Sequence, residues 1–115
     1  MIDPINPTRM KTMVYTVTTL DLRGNDNVLG YQKTPAIFTI LDDAVFAVQN
    51  NINDLSDEGN YQYAVIERNW LNEVRPLIND DNHNKMWFRY NSILDEFEPC
   101  IEPKQFARVN GFGIG

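Results

Sequence analysis

The three residues Ala64-Val65-Ile66, at the centre of the segment Tyr61 to Arg68, constrain the fold more than any other stretch of the chain. Side chains alternate between the two faces of a strand. Three consecutive apolar residues therefore make this segment apolar on both faces, and both faces must be covered. The segment belongs in the middle of a sheet, with partners on either side.

Partners for it are legible on both sides. Thr12 to Leu22 is rich in Val, Thr and Tyr and reads as a strand. Val14, Thr16 and Thr18 share one face, and Tyr15, Val17 and Thr19 the other. Gly24-Asn25-Asp26-Asn27 is a turn, since Gly and Asn accept positive φ. Val28 to Tyr31 continues as a second strand, which Pro35 is expected to interrupt. Lys85 to Asn91 reads as a fourth strand, with Met86, Phe88 and Tyr90 opposite Trp87 and Arg89. A turn at Asn91-Ser92 or Leu94-Asp95 leads to a fifth, Glu96 to Ile101.

Between the second and third strands, Thr39 to Asn50 reads as the main helix. Leu41, Ala44, Ala47 and Val48 follow the spacing of a buried face. Asp42 and Asp43 complement the dipole at its start, Thr39 is positioned to cap it, and Asn50-Asn51 supply an exit. Residues 53–60 form a polar loop. Residues 69–84 mix apolar residues with breakers and give no clear element. Pro103 opens a short C-terminal helix through Val109, where its missing N–H does no harm. The fold class is therefore α+β: a two-layer, mostly antiparallel sheet of about five strands, one main helix at about 39–50 and a short helix at about 103–109.

The 115 residues suffice for one domain. Residues 1–11, with Pro4 and Pro7, read as a mobile arm, and residues 12–115 as the α+β domain. The terminal Gly111-Phe-Gly-Ile-Gly115 puts Phe112 and Ile114 at period two, as expected of a tail docked into the fold. No apolar run approaches the ~20 residues of a membrane-spanning helix. No export signal is visible, and the lone Cys100 cannot close an internal disulfide, so a cytoplasmic location is expected. The net charge of −6, with basic residues scattered, argues against direct contact with nucleic-acid phosphate.

Several stretches resemble a family of small uncharacterised α+β proteins of bacteria and their phages. They are Tyr15-Thr-Val-Thr18, Gly30-Tyr31, Ala44 to Val48 with Asn50-Asn51, Tyr61-Gln-Tyr-Ala-Val-Ile-Glu67, Trp87-Phe88, the Phe97 strand and the terminal Gly-Phe-Gly-Ile-Gly. The resemblance spans about residues 13–115. The first dozen residues and the longer stretch 35–40 depart from it. It implies an α+β fold and supplies no catalytic residues.

The residues themselves give no catalytic set. His83 lies in a polar loop without paired ligand spacing, so no metal and no cofactor are expected. Cys100, next to Pro99 and Ile101, reads as a packed thiol rather than a nucleophile partnered by His83. Asp54, Asp57, Glu58 and Gly59 lack the spacing of a calcium loop. Glu67 is the polar residue that stands out, because it ends an apolar strand where a charge needs a partner or solvent. With Tyr63, Trp87 and Arg89 it forms the candidate ligand-binding set. Three functions follow from this. The first is a non-enzymatic binding protein acting through a protein partner, of the kind a phage uses to inhibit a host protein. The second is a binder of a small nucleotide-like ligand, held by Arg89 and stacked on Trp87. The third is an enzyme using carboxylates such as Glu67.

Overall fold

A computed structural model describes residues 12–23, 28–71 and 84–106. The order is β1 (Met13–Arg23), β2 (Val28–Phe38), α1 (Leu41–Gln49), β3 (Tyr63–Trp70), β4 (Lys85–Asn91) and β5 (Glu96–Cys100). The strands form one sheet in the order β2-β1-β3-β4-β5, and every neighbouring pair is antiparallel. The doubly apolar strand is the central one. Ala64, Val65 and Ile66 are all buried, with Ile66 opposite Val17 on one side and Met86 on the other.

The alternation expected in β1 and β4 sorts the side chains onto two faces. On one, Val17, Ala64, Ile66, Phe88 and Phe97 meet Ala44 and Val48 of α1. Burying a side chain the size of Phe88 stabilises the fold by about 1.5–3 kcal/mol. On the other, Leu20, Val65 and Trp87 pack with Phe106. The helix covers only the first face, and the segment after β5 packs on the second.

Two expectations are corrected, and a third is not shown. β2 runs through Pro35 instead of stopping at Tyr31. It is an edge strand paired only with β1, so a missing N–H on its outer side breaks no ladder bond. The register also slips there: Val17 faces Ala36 but Thr19 faces Lys33, leaving one extra residue of β2 in a bulge at Thr34-Pro35. The helix starts at Leu41, with Ile40 as N-cap and no side-chain capping bond, so Thr39 does not cap it. In place of the short helix expected over 103–109, the described residues show a three-residue 3₁₀ turn, Lys104–Phe106. The remainder of that expected helix, the arm 1–11, His83 and the Gly111–Gly115 tail lie outside the described residues.

Candidate functional site

The connection from α1 to β3 is built from Asn and Asp recurring at every third residue. Backbone N–H groups of Asp54, Asp57 and Asn60 bond the carbonyls of Asn51, Asp54 and Asp57, giving three successive turns. Five non-glycine residues here have positive φ: Asn51, Asn53, Asp54, Asp57 and Glu58. Asn and Asp adopt that region at lower cost than other side chains, which is why they fill four of the five positions. Their side chains then fasten the loop. Asn51 Oδ1 accepts from the Ser56 N–H at 2.8 Å, and Asn51 Nδ2 donates to Ser56 Oγ at 3.1 Å and to Asp95 Oδ1 at 2.9 Å. Asp54 accepts from Ser56 Oγ and from the Glu58 N–H. Tyr90 donates its hydroxyl to the same Asp95, tying the loop to the β4–β5 turn. That bond holds the Tyr90 proton in place, and with burial it pushes the phenol above its ordinary value.

This fixed loop forms one wall of a cleft of about 390 Å³, with β2 and α1 as the others. Phe38, Ala47 and Leu55 give it apolar surface. Lys33, exposed on β2, holds its ammonium 5.9 Å from the centre of the Tyr61 ring. Asp57 lines the loop side. Thr19, from β1, also lines the cleft. It is 0% exposed, and its Oγ1 has no hydrogen-bond partner among the described residues. A buried hydroxyl left in that state costs about 1–3 kcal/mol. Native structures rarely carry that cost without a reason.

The set Glu67, Tyr63, Trp87 and Arg89 lies on the opposite face of the sheet. Tyr63 and Arg89 are ladder partners, and Glu67 stands between Thr16 and Lys85. Glu67 is fully buried, not solvated on an open face. Phe106 stacks on the Trp87 indole at 5.1 Å and 6°, and meets Tyr63 edge-on at 5.8 Å. One ring face of Trp87 is thus already occupied, while Arg89 is exposed beside it. Asn69 Nδ2 donates to Thr16 Oγ1 at 3.3 Å on the same face, and Thr18 and Thr34 share a hydroxyl bond at 3.1 Å.

Cys100 is half-buried next to Trp87 in a more open depression of about 420 Å³. Burial raises its thiol above the ordinary value, and Arg89 offsets part of the rise. A thiol shifted upward is mostly protonated at neutral pH, which is the opposite of what a nucleophile needs. Among the described residues no three His, Cys, Asp or Glu side chains are grouped to hold a metal ion, and no helix is long and apolar enough to cross a membrane.

Sequence reasoning takes residues 53–60 as a plain polar loop and misses the cleft. The available signal is the recurrence of Asn51, Asp54, Asp57 and Asn60 at intervals of three, in residue types that accept positive φ. Nothing local marks Thr19 or Lys33, because the register of a bulged strand pair brings them together. No protein-family model, curated protein or solved structure matches the chain.

Proposed function

We propose that the protein is a binding protein and that its site is the cleft between β2, α1 and the 51–61 loop. The observation that carries this reading is the cleft's lining, where apolar Phe38, Ala47 and Leu55 stand beside the exposed charges of Lys33 and Asp57. Its volume lies within the ~300–1,000 Å³ usual for small-molecule sites, with apolar lining and a few polar groups. The loop wall stores backbone strain, which concentrates at ligand clamps. Catalysis needs a titratable group positioned against a partner group, and Lys33 and Asp57 of the cleft make no such pair among the described residues. The test is a fragment screen by amide chemical-shift mapping. Ligands are expected to shift Thr19, Lys33, Ala47 and Tyr61 together; fragments that map only elsewhere sink the reading.

A second reading, action through a protein partner in the manner of a phage inhibitor of a host protein, draws on a different observation. Ile93 and Leu94, adjacent at the β4–β5 turn, are 91% and 56% exposed. Apolar side chains at a fixed turn suit insertion into a partner's surface. The edges themselves are guarded against strand addition, by Lys33 and Pro35 on β2 and by Glu96, Glu98 and Pro99 on β5. A partner recovered from host lysate by the wild type and equally by an Ile93→Asp/Leu94→Asp variant would remove the turn from the interface.

A further inference from the structure

We infer that the cleft takes a small zwitterion with an apolar body, the chemistry of a free aromatic or aliphatic amino acid. This rests on the cleft being the binding site and goes on to name what it binds.

Lys33 and Asp57 are opposite charges lining one cleft, and neither makes an ion pair with the other or with any described residue. Asp54, the other lining carboxylate, is already held by Ser56 and the Glu58 N–H. A ligand carboxylate therefore finds the Lys33 ammonium. A ligand ammonium finds the Asp57 carboxylate. The apolar body lies against Phe38, Ala47 and Leu55.

The same charges speak against the nucleotide-like ligand. A polyphosphate asks for several cations, guanidinium forks or a helix N-terminus. The cleft offers one lysine against two aspartates, and the first turn of α1, Leu41 to Asp43, does not line it. A second phosphate charge would face carboxylates, not cations.

The experiment is calorimetric titration of the full chain with four probes: L-phenylalanine, 3-phenylpropanoate, phenethylamine and AMP. The wild type is expected to bind L-phenylalanine, with the two analogues, each lacking one charge, weaker by about tenfold or more. Lys33→Met is expected to abolish the advantage of L-phenylalanine over phenethylamine. Asp57→Asn is expected to abolish its advantage over 3-phenylpropanoate. Both positions are exposed, so both variants keep the fold. Equal binding of an analogue and the zwitterion, or preference for AMP, overturns the zwitterion assignment. If an analogue then still shifts the Thr19 and Tyr61 amides, the cleft stands as the site and only its chemistry is wrong. If no probe binds and no fragment shifts those amides, both fall.

Discussion

At Thr19 the free protein buries a hydroxyl that bonds nothing among the described residues. Replacing it with the isosteric Val removes that cost and keeps the shape. Thr19→Val is therefore expected to stabilise the free protein by about 1–2 kcal/mol, read as a higher urea midpoint. A lower midpoint would mean that the hydroxyl is satisfied. Gly59 makes the opposite case. Its φ is +85°, and a Cβ there would lie 3.2 Å from the Tyr90 ring. The ring cannot swing aside freely, because its hydroxyl is bonded to Asp95. Gly59→Ala is expected to cost about 1–2 kcal/mol from strain and crowding together. An unchanged thermal midpoint would show that the loop adjusts without cost.

Among the elements, α1 departs most from the expected design. Its N-cap, Ile40, has φ −122° and ψ 122°, the extended geometry that a capping side chain requires, and it is more than half exposed. Ile40→Ser is expected to add a bond to the first-turn N–H groups and to stabilise by about 1 kcal/mol, because the exposed Ile40 side chain buries little apolar surface. A thermal melt of the variant checks the sign. The difference between Thr39 and Ile40 shows what the sequence could and could not say about this element. The Asp42-Asp43 pair and the Ala44, Ala47, Val48 face mark a helix, and that face is the buried one. The start is set instead by where β2 ends, and β2 ends late because its bulge lets it pass Pro35. Strand β4 matches its expected limits because alternation and flanking turn residues agree there. The cleft was not legible for a related reason. Lys33 meets Thr19 only after an earlier register shift, between Leu20 and Leu22, and local periodicity does not encode a shift between strands that pair across a turn.

For the molecule as a whole, two protons link the loop-and-turn network and the second face to alkaline stability. The Tyr90 phenol is raised chiefly by its bond to Asp95, then by burial, with Asp54 nearby acting in the same direction and Ser56 opposing it. The Cys100 thiol is raised by burial, against the pull of Arg89. In both, the folded state holds the proton more tightly than the unfolded chain, whose ordinary values are 10.0 and 9.0. The stability they contribute is fully present below those ordinary values. It is lost as pH rises, because the unfolded chain ionises first and gains what the fold cannot. With respect to these two groups, the urea midpoint should be level from neutral pH to about 9 and fall above it. Tyr90→Phe should lower the plateau, since Asp95 loses a donor, while flattening the fall above about pH 10. Cys100→Ala should flatten the part beginning near 9 and leave the rest. The two groups sit on opposite faces of the sheet with no shared partner, so their effects should add in the double variant. A double variant that keeps the full alkaline fall would place the responsible protons elsewhere in the chain.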